Sequence, residues 1–127
     1  NTNYLRTLIK VVKEIEEHGN AITVGRGAAF ICEHPKSFHL RIVSPFKTRI
    51  TGYAKRENIT ENKAEEIIRK KDDERAEFVK SNFKKNVSDA ATYDLVLNSG
   101  TFSLEHMMYI ISRSYEYKTD SELEILN

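Results

Sequence analysis

The 127 residues predict a single domain, long enough to bury a core. Twenty basic against 19 acidic residues leave a net charge of +1, so no global field draws the chain to nucleic acid or to a membrane, and any anion site has to be local. Cys32 is the only cysteine; this excludes an internal disulfide or a cysteine zinc cluster, and points to a core thiol in a reducing cytoplasm. No apolar run approaches the ~20 residues that cross a bilayer, and the first residues lack a signal-peptide pattern.

Apolar residues at Tyr4, Leu5, Leu8, Ile9, Val12 and Ile15 fall at helical spacing with one buried stripe, and Gly19 sits where such a helix ends in a left-handed residue. Ala21 to Val24 is a short β-branched run and reads as a strand opening into Gly25-Arg26-Gly27. After the turn around Glu33-His34-Pro35-Lys36, the run from Phe38 to Val43 reads as a second strand. Pro45 suits the first turn of a helix with Phe46, Ile50 and Tyr53 on its apolar side. Thr60 is the expected N-cap of a long polar helix from Glu61 to about Phe83, with Ala64, Ile67, Ile68, Phe78, Val79 and Phe83 as its apolar positions. Its middle, about Arg69 to Glu77, is nearly all charge, which predicts an element that stands away from the core and moves. Tyr93 to Asn98 reads as a third strand, and Ser103 as the N-cap of a helix with Leu104, Met107, Met108, Ile110 and Ile111 inward. Residues 116–127 form a charged tail. This order gives an α/β fold with helical crossovers and a parallel sheet. Three strands leave exposed edges, through which copies of the chain would pair.

Four places could carry chemistry. Arg26 leaves a strand end between two glycines, where an open α/β sheet receives an anion; the other reading is a glycine turn with a solvated arginine. Arg49 lies one turn into the helix after Pro45. Lys71 and Arg75 are four apart on one face of the polar helix, with Asp72 three before Arg75 to pair with it. Cations converging from several elements suit phosphoryl transfer, which is mostly positioning and neutralisation of oxygens; the same residues also read as a solvated helix laced with ion pairs. His18, His34, His39 and His106 show no metal spacing, and no GxSxG elbow is present. The aromatics do not interleave with basic residues as in a single-strand nucleic-acid platform.

A Glu- and Lys-rich helix, then GNAITVGRGAAFI, HLRIVSPFKTRI, NITENKAEEIIRKKDDERAEFVKSNF and YDLVLNSGTFSLEHMMYII, resembles the cytidylate kinase-like family of P-loop kinases. The resemblance runs from about Leu5 to Ser112, and it is the order and separation of five motifs that make it specific. It implies a partial P-loop kinase-type parallel sheet flanked by helices, with a helical lid at about 56–83 inside a domain portion at 1–115. It further implies ATP- and Mg²⁺-dependent phosphoryl transfer to a nucleoside monophosphate, typically cytidylate, or to another small acceptor. In that likeness Gly25, Arg26 and Gly27 face the acceptor phosphate, and Arg49 matches the first arginine of the helix after the Ser-Pro turn. Lys71, Asp72 and Arg75 match the lid that closes over the phosphates, while Asp94 to Ser99, including Asn98, match the last core strand near the base.

Two departures follow from the same comparison. Gly52 stands where relatives often carry a second basic residue, thinning the phosphate grip of that helix. No GxxxxGK[ST] or glycine-rich equivalent occurs, so the donor's β-phosphate has no cradle and Mg²⁺ no hydroxyl ligand among these residues. The expected picture is the C-terminal part of such a protein, whose ATP-binding strand and helix lie ahead of Asn1 and without which this chain is inactive. The alternative is a catalytically inactive remnant that binds a nucleotide or a partner, or acts as an assembly module.

Overall fold

The structure, a computed structural model, describes residues 2–25 and 27–120. Among these, helices α1 (Thr2–His18), α2 (Ala28–Ile31), α3 (Phe46–Glu57), α4 (Glu61–Phe83) and α5 (Leu104–Thr119) surround two strands, β1 (Leu40–Val43) and β2 (Leu95–Asn98). A single 3₁₀ turn, Ala90–Thr92, precedes β2. The fold is a mostly helical α/β arrangement with a two-stranded parallel sheet flanked by helices.

The strands pair in parallel with Leu40 opposite Leu95 and Val43 opposite Asn98. Parallel pairing needs a crossover, and α3 with α4 provides it. The sheet has one strand fewer than the β-branched runs suggest. Ala21 to Val24 forms no strand: Gly19 and Asn20 both adopt left-handed φ, 70° and 53°, and turn the chain away from α1. Ile22 and Val24 are then 94% and 88% exposed. β-propensity describes fit to a half-buried ladder, and no neighbouring strand offers this run one. The other two strands are shorter than expected, four residues each, because only these residues face one another across the crossover.

The helices follow local chemistry closely. The Thr60 hydroxyl accepts from Lys63 N–H at 3.1 Å and starts α4; the Ser103 hydroxyl accepts from His106 N–H at 3.2 Å and starts α5. Asn58 and Lys84 end α3 and α4 in left-handed φ, the geometry in which a helix releases its last carbonyls. The buried core cluster is Ile50 and Ala54 of α3 against Ala64 and Ile68 of α4, with Phe46, Tyr53 and Ile59 packed around it. Ala64 is fully buried, and its small side chain lets the two helices approach.

At the far end of α4, Val79 is buried and Phe83 stacks on Phe30 of α2 at 5.8 Å. Between these anchors, every residue from Arg69 to Glu77 is exposed except Asp72, as a stretch charged at all but Ala76 requires. Helix α5 departs from its expected inward face. Met107, Ile110 and Ile111 are half-covered, but Leu104 and Met108 are 70% and 60% exposed. Cys32 is half-buried rather than a core residue. Burial and the neighbouring Glu16 carboxylate push its thiol pKa up.

Candidate functional site

Pro45 ends β1 and opens α3, so Arg49 projects one helical turn beyond the carboxyl end of the sheet. The α3–α4 core sets the facing turn of α4 at a fixed height, and that height brings Asp72 to Arg49. Arg49 grips the carboxylate with both terminal nitrogens, Nη1 to Oδ2 at 2.9 Å and Nη2 to Oδ1 at 2.7 Å. Arg75 adds a weaker bond from Nη1 to Oδ1 at 3.3 Å. Two guanidiniums from two helices thus converge on one carboxylate. The fork-to-fork bond from Arg49 holds the Asp72 pKa below the ordinary carboxylate value, with Arg75 adding to the effect, and it raises the pKa of Arg49 in return.

Lys71 is adjacent but does not join this assembly. Its ammonium lies 5.3 Å from the centre of the Tyr53 ring, which Arg56 also approaches at 5.4 Å. Arg69 in the same way covers Phe46 at 4.5 Å. These aromatic seats on α3 are worth about 0.5–1 kcal/mol each at exposed positions. They are absent from the sequence reading, where Tyr53 and Phe46 figure only as apolar positions. The signal available was their i, i+4 relation to Arg49 and Ile50, which puts all four on the side of α3 that meets α4.

The glycine turn sits elsewhere. Gly25 and Gly27 both have left-handed φ, 73° and 72°, and Arg26 between them lies outside the described residues. A Cβ on Gly27 would lie 2.5 Å from Cε2 of Phe83, so glycine there permits the close approach of the turn to the end of α4. Phe83 is eight residues beyond Arg75, roughly 12 Å further along the helix axis. Gly27 is therefore placed at the C-terminal end of α4, while Arg75, which shares Asp72 with Arg49 of α3, lies nearer the middle of that helix.

Asp94 and Asn98 lie at opposite ends of β2, roughly 13 Å apart along the strand. Asn98 is at the carboxyl end, where its Oδ1 accepts from Gly100 N–H at 2.8 Å and closes the turn beside Pro45. Asp94 is at the amino end and is fully engaged. Its carboxylate accepts from His39 N–H at 2.7 Å and from the Lys118 ammonium at 2.9 and 2.8 Å, and Lys118 also donates to the Ser37 carbonyl. Lys118 belongs to the last turn of α5, 24 residues away in the chain, and nothing in the local sequence signals this contact.

Burial opposes the charge on Asp94, but the His39 N–H and the Lys118 ammonium outweigh it and hold its pKa below the ordinary 3.8. A folded-state value below the unfolded one means that the unfolded chain takes up more protons in acid. The stabilisation is present above pH 3.8 and is lost as the pH falls through the folded value. Asp94→Asn should therefore lose roughly 1–3 kcal/mol near neutral pH, and the gap from the unsubstituted protein should close in acid. Urea midpoints on both sides of pH 3.8 check this; a gap that does not change with pH would contradict it.

With the geometry of the site in view, the family follows from a single match: the model of the cytidylate kinase-like family covers residues 1–101. The chain belongs to the cytidylate kinase-like family. Neither a curated protein nor a solved structure matches it. Membership in a kinase-like family implies use of a nucleotide. The two guanidiniums are not metal ligands, and among the described residues no three His, Cys, Asp or Glu side chains come together to hold a metal ion. No helix of the described residues is long and apolar enough to cross a membrane.

Proposed function

We propose that this member of the cytidylate kinase-like family supplies the acceptor-side arginines and the lid of a phosphotransferase. The acceptor would be a nucleoside monophosphate, cytidylate-like, or another small acceptor. The observation that carries this reading is the convergence of Arg49 and Arg75 on a single anionic group at Asp72, on a stretch of α4 otherwise given over to solvent. ATP, bound by a glycine-rich loop that these 127 residues lack, would supply the phosphoryl group.

Arg49 and Arg75 neutralise phosphate oxygens, and until a ligand arrives Asp72 holds both guanidiniums in place. Lys71 stands one residue away, held over Tyr53 until charge arrives. Arg26, between the left-handed Gly25 and Gly27, orients the acceptor. Asn98 borders the ligand at the carboxyl end of the sheet, and Asp94 keeps the sheet and α5 in register behind it. Residues 1–115 form the domain portion, with the lid at about 56–83. A second reading, a nucleotide-binding remnant that acts by pairing with a partner or another copy, is favoured by the exposure of Ile22 and Val24 and by the open edges of a two-stranded sheet.

Calorimetric titration of the full chain with CMP and with cytidine tests the main reading. CMP should bind and cytidine should bind far more weakly, because the arginines address the phosphate. Equal affinities, or no CMP binding, would remove it.

A further inference from the structure

The bond that joins α3 to α4 has the form of the bond that a ligand phosphate would make. Arg49 offers one bidentate edge, and the Asp72 carboxylate fills it at 2.9 and 2.7 Å, while Arg75 shares Oδ1. The three side chains remain within reach of solvent: Arg49 is 36%, Asp72 34% and Arg75 61% exposed. A phosphate arriving from solution meets an Arg49 whose two terminal nitrogens are already in use and an Arg75 tied by one weaker bond.

Net charge does not help it. The nine residues from Arg69 to Glu77 carry four cations and four anions, so the local field is balanced and affinity depends on which cation is unmasked. Lys71 rests over Tyr53 and Arg69 over Phe46, and it is Arg49 and Arg75 that bond the Asp72 carboxylate.

We propose that Asp72 is an internal stand-in for the ligand phosphate: phosphate displaces its carboxylate from Arg49, and this competition selects for doubly charged phosphate over singly charged anions. The proposal rests on the anion-site reading given above and specifies its selectivity. A carboxylate ligand offers Arg49 nothing that Asp72 does not already offer intramolecularly. A phosphate dianion brings more charge and a third oxygen, enough to reach Arg49 and Arg75 together. Asp72 is thus a specificity-determining residue that acts through the arginines without touching the reacting atoms.

The experiment is calorimetric titration of the full chain and of Asp72→Asn with inorganic phosphate, acetate and CMP, with Asp72→Ser as a second variant and circular dichroism as the check of folding. Removal of an exposed-to-half-buried competing ion pair should tighten phosphate binding by about fivefold. It should also narrow the preference for phosphate over acetate. In the unsubstituted protein, the carboxyl carbon resonance of Asp72 should shift as phosphate is added, a readout that needs no variant. Folded Asp72→Asn and Asp72→Ser proteins that bind phosphate no more tightly, together with an unmoved Asp72 resonance, would overturn the displacement while leaving the anion site in place. No phosphate or CMP binding to any of the three proteins would overturn the anion-site reading itself, and the displacement with it.

Discussion

Ile68→Ala should lower the stability of the protein by about 2–5 kcal/mol, the range for deleting a buried branched side chain. Ile68 is one of four residues in the buried cluster between α3 and α4, and two of the other three, Ala54 and Ala64, are too small to fill the space it would leave. The effect reaches the site. Arg49 meets Asp72 only because Ile50 and Ala54, on the turns of α3 that carry Arg49, lock against Ala64 and Ile68, and Ile68 lies one turn before Asp72. Urea unfolding should show the loss directly. Under conditions where the variant is still folded, CMP affinity should also fall, although the residue touches no ligand. A drop of less than about 1 kcal/mol would mean that the helix pair is held by something other than this cluster.

Arg49→Ala should reduce affinity for CMP by at least about tenfold. A hydrogen bond to a charged group contributes roughly 1.5–3 kcal/mol, and Arg49 offers two in parallel to the same anion. Stability should change far less, because the pair with Asp72 is more than one-third exposed at Arg49, and surface ion pairs are worth about 0–1 kcal/mol. The contrast with Ile68→Ala is informative. One substitution removes the scaffold and with it the site, and the other removes the site from an intact scaffold. Arg49→Lys should recover only part of the affinity, since an ammonium cannot make the two-pronged contact. Arg49→Ala with unchanged CMP affinity would exclude Arg49 from binding.

The parts of this fold that are legible in the sequence are those fixed within a few residues. Thr60 and Ser103 mark their helices because an N-cap bond spans three residues, and the Glu61–Phe83 helix is found at both ends. The pairing of Asp72 with Arg75 is likewise local, being three residues along one helix face. Arg49 could be singled out by type and place, but its bond to Asp72 spans 23 residues and depends on how Ala64 lets the helices close. Lys118 reaching Asp94 across 24 residues has no local signature at all. Ala21 to Val24 illustrates the converse, since a β-branched run states a preference and only a neighbouring strand can satisfy it. Leu104 and Met108 show the same for helices: helical spacing marks an apolar sector but does not supply what covers it.

The central claim, that Arg49 and Arg75 together receive a phosphate, is tested most directly by following their guanidinium nitrogen resonances in the full chain during titration with CMP. Both sets should move together along one binding curve, and cytidine should leave them in place. Resonances of Arg49 and Arg75 that stay fixed while CMP binds would place the phosphate elsewhere on the protein and contradict the account.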